Sequence, residues 1–423
     1  MRRDNKQMRT SVFTLTAARA GASVGGALIA AVLLSVASPV LAQDSACNAP
    51  AKDPIVNLET PGRPFEPVVS SDGCWIFVTL LPRQGGDGGS VAVVRRSGGS
   101  LTVARTVAIK GNPTGAVLTH DDKLLIIADG GYLAFLDATR LRSGDGDPVL
   151  GYIGDGSPVG FIYANVSGDD RYLFASAERG ASILVVDLGQ ARADGFQGRG
   201  GVARLDVGNA PISVTLSPDG RYLYTTSEVA LPAWNWPRSC RPENPNGRGN
   251  PPYHPQGAII VFDVQRALAD PAHAALSRVA AGCSPVRLVL SPAGDVAYVS
   301  ARGDNMLQAF DTQRLVSDTA HALVGKVEVG IAPVGVAVID SGARVVVTSS
   351  NRFGGGKGDR QPLAVVDAAK LRTGAQALIG TIPAGAFPRE LRATADGHTL
   401  FVTNFASQEL EMIDLGRAPI SKP

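Results

Sequence analysis

The stretch Pro211-Ile212-Ser213-Val214-Thr215-Leu216-Ser217-Pro218-Asp219-Gly220-Arg221-Tyr222-Leu223-Tyr224-Thr225-Thr226 reads as two short strands joined by a tight turn. Apolar and small polar residues alternate on either side of Ser217-Pro218-Asp219-Gly220, whose Pro, Asp and Gly supply turn chemistry. A third apolar run, Ile259-Ile260-Val261-Phe262-Asp263, follows after an interruption and ends in an acid.

The same unit recurs. Its turn position falls at Ser70, Thr119, Ser167, Ser217, Ser291, Ile339 and Thr394, at spacings of 49, 48, 50, 74, 48 and 55 residues. Seven copies of roughly fifty residues mark a repeat architecture. The 3.6-residue periodicity of a helical solenoid is missing. Short strands in units of this size suit blades arranged around a channel, so the chain is expected to be all-β, a seven-bladed β-propeller. The third strand ends in Asp at Asp137, Asp187, Asp263, Asp311, Asp367 and Asp414, with Arg95 in the first copy. An acid repeated in six of the seven copies is expected to be structural, accepting backbone N–H groups of the following turn. A polar segment and a fourth strand such as Lys326-Val327-Glu328-Val329 come next, but the last copy ends near Arg417 without one. Pro54-Ile55-Val56-Asn57-Leu58-Glu59 has the missing pattern. It is expected to complete the last blade and close the ring, which removes open edges.

Three copies are interrupted between their second and third strands. From turn to Asp, three copies take 20 residues and one takes 18. The fourth takes 46 (Ser217 to Asp263), the sixth 28 (Ile339 to Asp367), and the first 25 (Ser70 to Arg95). These insertions emerge on one face, which makes it the expected functional face. The largest, residues 228–256, holds Trp234, Trp236, Cys240, Tyr253 and His254 among seven prolines. It reads either as a binding surface or as a plug over the channel. Candidate binding residues are Trp234, Trp236, His254, Arg287, Asn351, Arg352, Arg389 and Asn404.

One position in each first strand forms a second series: Glu66, Gly115, Tyr163, Ser213, Arg287, Gly335 and Glu390. The residue after each is apolar and is expected to pack between blades. The series itself approaches the channel mouth, where two Glu and one Arg meet in one ring, with Arg389 and Arg392 nearby in sequence. These charges read either as an ion-pair network fastening the blades or as a ligand site.

Other motifs carry little. Arg302-Gly303-Asp304 is a common loop tripeptide, and Gly354-Gly355-Gly356-Lys357 lacks the Ser/Thr and strand–helix context of a phosphate loop. The five His are scattered, with no catalytic triad or metal cluster in their spacing. No cofactor or metal is expected.

Phe401-Val402-Thr403-Asn404, Ser217-Pro218-Asp219-Gly220 and, more loosely, Ala297-Tyr298-Val299-Ser300 resemble the YVTN-type repeats of the YncE-like propellers, within the lactonase-like propeller superfamily. The resemblance spans residues 54–417 and implies the fold more than a function. Lactonases of the superfamily carry a Gly-Pro-Arg-His stretch. Phe387-Pro388-Arg389-Glu390 shares only Pro-Arg, with Glu in place of His. The leading expectation is a non-catalytic binding module for a protein, peptide or small molecule. The alternative is a lactonase-type hydrolase, with Glu66 or Glu390 activating water and Arg287 or Arg302 stabilising the oxyanion.

The chain of 423 residues is 44% hydrophobic and 18% charged, with 49 Gly and 28 Pro, a composition able to bury a core. Residues 1–42 read as a signal peptide. Arg2, Arg3, Lys6, Arg9 and Arg19 form a basic start, residues 25–42 are uncharged and apolar, and Val40-Leu41-Ala42 suits cleavage before Gln43. A retained membrane anchor is the rival reading. Asp44-Ser45-Ala46 before Cys47 argues against lipidation. Cleavage removes five basic residues and one acidic one, taking the formal charge from +2 to −2. That balance offers nothing to nucleic acid or to an anionic membrane. The expected parts are a short segment 43–53, the propeller 54–417 and a tail 418–423, as a monomer in the periplasm or outside the cell. Cys47, Cys74, Cys240 and Cys283 remain, an even number that favours disulfides in an exported protein. Of three possible pairings, the repeat favours Cys240–Cys283, leaving Cys47–Cys74. Mass spectrometry of the purified protein is expected to find a chain that starts at Gln43; residues 1–42 intact in the membrane fraction overturn this reading.

Overall fold

The computed structural model describes residues 46–83, 88–154, 156, 159–198, 201–241, 254–352, 358–373 and 376–422. The signal-peptide assignment, Tyr253 and the Gly354–Lys357 run lie outside them. Among the described residues 28 strands form seven four-stranded antiparallel sheets. In six sheets the strands follow chain order, as in blade 4: Asn209–Leu216, Tyr222–Val229, Gln256–Asp263 and Ala275–Cys283. The seventh joins Pro388–Ala393, Thr399–Asn404 and Glu409–Asp414 to the N-terminal strand Ile55–Glu59. Ile55 pairs with Ile413 and Glu59 with Glu409, so both ends of the chain share one sheet and the ring is closed.

The repeated residues explain the repeated shape. In six turns a Ser or Thr hydroxyl donates to an acid just beyond it, as Ser217 does to Asp219, and accepts the N–H that starts the second strand, here Tyr222. Ile339 has no hydroxyl, and a short 3-10 turn over Asp340–Gly342 takes the place of this bonding. The six third-strand acids act as expected. Asp137, Asp187, Asp263, Asp311 and Asp367 each accept the N–H three residues on, and Asp414 accepts from Gly416. Asp137, Asp187, Asp263 and Asp367 thereby cap one-turn helices. Arg95 cannot accept such a bond, and blade 1 runs Gly89–Ser97 directly into Ser100–Ile109.

The blades are linked around the channel by side-chain hydroxyls. In blades 1 and 3 to 7 the first strand carries a bulge at the position of the channel series. The bulge turns one N–H away from its ladder partner. A Ser or Thr at the fifth residue of the second strand accepts that N–H and donates to a carbonyl of the next blade. Thr403 accepts from Glu390 and donates to the Phe65 carbonyl at 2.8 Å, joining the last blade to the first. Thr79, Ser176, Thr226, Ser300 and Thr348 do the same for Thr114, Ile212, Val286, Val334 and Arg389. Blade 2 has Ala128 at this position, and there the Gly115 N–H donates straight to the Ile162 carbonyl at 2.8 Å. A Cβ on Gly115 would sit 2.2 Å from Tyr163 Cδ1, so only glycine permits that approach.

Both disulfides form as expected. Cys47–Cys74 ties the N-terminal segment to blade 1, and Cys240–Cys283 ties the blade-4 insertion to the last residue of that blade's fourth strand, just before blade 5 begins; Cα atoms are 5.3 Å apart in each. No described helix is long and apolar enough to cross a membrane.

Replacing Thr403 by Val keeps its shape but strands the Glu390 N–H and the Phe65 carbonyl in the interior. Each buried group without a partner should cost about 1–3 kcal/mol, read as a lower denaturation midpoint, while Thr403→Ser should stay near wild type. Equal midpoints for Val and wild type would refute the role given to the hydroxyl.

Candidate functional site

The bulges place two consecutive residues of each first strand against the channel. One set is mainly apolar: Phe65, Ile212, Val286 and Val334 pack with Tyr163 into a cluster across the axis. The next residue along brings Glu66, Arg287 and Glu390 together, as the sequence suggested, in a closed network. Arg287 Nη2 lies 3.1 Å from Glu66 Oε2, and its Nε donates to Glu390 Oε2 at 2.9 Å. Arg392 Nη2 donates to Glu66 Oε1 at 3.0 Å, and the Tyr163 hydroxyl donates to Glu390 Oε1. The Arg287 guanidinium lies 3.3 Å from the centre of the Tyr163 ring. All four carboxylate oxygens thus accept bonds. Glu66, Arg287 and Glu390 are 5%, 9% and 2% exposed. The sequence placed Tyr163 in the same channel series as Glu66, and Arg392 nearby, but did not give Tyr163 as the partner of Glu390 or Arg392 as that of Glu66.

The network and the apolar cluster divide the channel into two vestibules. The one toward the short turns, about 200 Å³, is lined by Asn165, Ser213, Thr215, Arg392 and the network itself. The one toward the insertions, about 160 Å³, has a floor of Ile162, Ile212, Val286, Val334 and Tyr163. Its walls are Glu178, Glu228, Arg302, Arg352 and Arg389. Glu178, Glu228 and Arg302 occupy the same place in three blades, six residues on from the start of the second strand: Glu178 and Arg302 directly follow Tyr172–Ala177 and Val296–Ala301, and Glu228 is the last residue but one of Tyr222–Val229, so strand ends carry the charges to the rim. Arg302 Nη2 meets Glu228 Oε2 at 2.7 Å. The Arg389 guanidinium stacks 3.7 Å from the centre of the Phe65 ring, and Arg352 lies 5.5 Å from that of Phe387.

Burial governs the charges here. It pushes Glu66 up to about 7, while Arg287 pulls the other way, Glu390 adds to the rise and Arg392 opposes it. Burial alone would lower Arg287, but Glu390, Tyr163 and Glu66 hold it above its ordinary value. Burial raises Glu228 against the pull of Arg302. In the vestibule toward the insertions, the upper one, burial lowers Arg352 to about 10, and repulsion from Arg302 and Arg389 adds to the fall.

The remaining candidates lie apart from both vestibules. Trp234 and Trp236 contact each other edge-to-face at 5.2 Å and pack, half-buried, on the core between blades 3 and 4. His254 is buried, and its carbonyl accepts the Cys240 N–H. Asn351 is buried, and its N–H donates to the Ile331 carbonyl. Asn404 is buried in blade 7 and donates to Glu411 Oε2 at 2.6 Å. In Arg302-Gly303-Asp304, Arg302 pairs with Glu228, the Gly303 N–H donates to the Cys283 carbonyl, and Asp304 accepts the Cys283 N–H; the tripeptide holds the disulfide in place.

No family model matches the chain, and no curated protein does. Solved structures are similar in fold. A chain of the Kuenenia stuttgartiensis hydrazine synthase aligns with a TM-score of 0.59 at 16% identity, over 85% of this chain and 97% of that one. The periplasmic gluconolactonase of Pseudomonas aeruginosa aligns with a TM-score of 0.54 at 20% identity, over 76% and 85%. A chain of a mitotic checkpoint complex aligns with a TM-score of 0.60 at 12% identity, over 96% and 99%. These likenesses establish the fold.

A Glu66 carboxyl that titrates near 7 when folded, against 4.5 ordinarily, holds its proton more tightly in the native state. Its contribution to stability is therefore complete below about 4.5 and is lost as pH rises to about 7, with a slope of up to roughly 1.4 kcal/mol per pH unit. Glu66→Gln should remove that slope from a pH series of denaturation curves. An unchanged slope would show that Glu66 is ionised throughout.

Proposed function

We propose that the chain is an exported binding module that takes a small molecule or peptide on its insertion-bearing face. The observation that carries this reading is the contrast between the two sets of channel charges. The acids of the partition have every oxygen engaged by their own neighbours, which suits a fastening. The charges of the upper vestibule stand on an apolar floor with room beside them, which suits a ligand. The disulfides and the N-terminal pattern of a basic start and apolar stretch support export to an oxidising compartment.

Lactone hydrolysis is the second reading, favoured by the shared fold with a periplasmic gluconolactonase. It needs a carboxylate free to activate water, and Glu66 or Glu390 would have to leave Arg287 to serve.

Compounds that raise the melting temperature, mapped by hydrogen exchange, should protect residues 226–241, 300–305 and 349–352. Protection confined to the short turns at Ser70, Ser167, Ser217 and Ser291 would overturn the assignment of the face. Turnover of gluconolactone that is lost in Glu66→Gln or Glu390→Gln would establish the lactonase reading instead.

A further inference from the structure

We infer that the upper vestibule is a receptor for the carboxylate of a small organic acid, gripped by the guanidinium groups of Arg352 and Arg389. The inference rests on the reading of the insertion face as the binding face and names the chemistry of its ligand. Three guanidinium groups and two carboxylates line the cavity, leaving one positive charge in excess. Arg302 is held by Glu228. Arg352 and Arg389 make no ion pair among the described residues, and Arg389 Nε is buried there without a hydrogen-bond partner. Leaving a buried donor unpaired is costly, and so is packing like charges together. Burial, with repulsion from Arg302 and Arg389 added to it, holds Arg352 below its ordinary range. One anion relieves both penalties at once.

The aromatic neighbours explain how the cations are presented. Phe65 lies under the Arg389 guanidinium and Phe387 beside that of Arg352. A guanidinium stacked by its face keeps its N–H edge available, and that edge matches the two oxygens of a carboxylate. The floor of Ile162, Ile212, Val286 and Val334 then meets the apolar part of the ligand. A volume of about 160 Å³ corresponds to about five waters at ~30 Å³ each, so the acid is short. Glu178 stands at the rim and limits the site to a single negative charge.

Propionate and its neutral isostere propanamide test the assignment by titration calorimetry at pH 7. Propionate should bind and propanamide should bind at least about tenfold more weakly. Arg352→Lys and Arg389→Lys keep the charge but lose the fork, and each should weaken propionate about tenfold while melting like wild type. Glu178→Gln removes a repelling charge and should tighten propionate severalfold; it also keeps the test open if an Arg variant does not fold. Equal affinity for propionate and propanamide, no heat with either, or Lys variants that bind as wild type would overturn the carboxylate assignment. In those cases protection of the insertion face by any other compound would leave the binding-module reading standing.

Discussion

The structure depends on where the inner strands fail to pair. A bulge in each of six first strands releases one backbone N–H next to the channel, in an interior where an unpaired donor is expensive. The hydroxyl that accepts it has a proton of its own to place, and the carbonyl within reach belongs to the next blade. One local defect thus becomes a bond between blades, and repetition turns it into a belt that ends at Thr403 and Phe65. Covalent and ladder bonds reinforce the same seam. The strand Ile55–Glu59 pairs with the last blade, and Cys47–Cys74 fastens the segment before it to the first.

The bulge also prepares the channel. Because consecutive residues face inward, one strand contributes both an apolar and a polar side chain to the axis. Phe65 joins the apolar cluster while Glu66 joins the ion-pair network. The two layers support each other. Apolar packing excludes water, which strengthens the pull of Arg287 on both acids. The pairing in turn satisfies charges that would otherwise be too costly to bury. The partition leaves two cavities with different chemistry, and the one with spare cations opens toward the insertions.

The likeness to propellers as different as a hydrazine synthase chain and a gluconolactonase fits this division of labour. The belt, the turn hydroxyls and the helix-capping acids are requirements of the ring. The residues at the far ends of the second strands are not, and Glu178, Glu228 and Arg302 stand there. They can change without disturbing the bonds that hold the blades.

The sequence alone was enough for the number of blades, the closing strand, the disulfide pairing and the structural role of the six acids. Each is a matter of spacing along the chain, and spacing survives folding. The meeting of Glu66, Arg287 and Glu390 was legible for the same reason, since equal positions in successive blades must share a level of the channel. The belt was written there too, as Ser or Thr at the fifth residue of six second strands, but its purpose needs the bulge, which alternation does not reveal. The tryptophans show the opposite limit. Their presence in the largest insertion left them open to reading as a binding surface or as a plug over the channel, and only the structure shows where they rest, half-buried on the core between blades 3 and 4, because a loop chooses its resting place by the cover it finds. The pairing of charges was decided by tertiary structure alone. Whether an arginine is spent on a neighbour, as Arg287 and Arg302 are, or left with an open edge, as Arg352 and Arg389 are, depends on distances of a few ångströms between blades far apart in the chain.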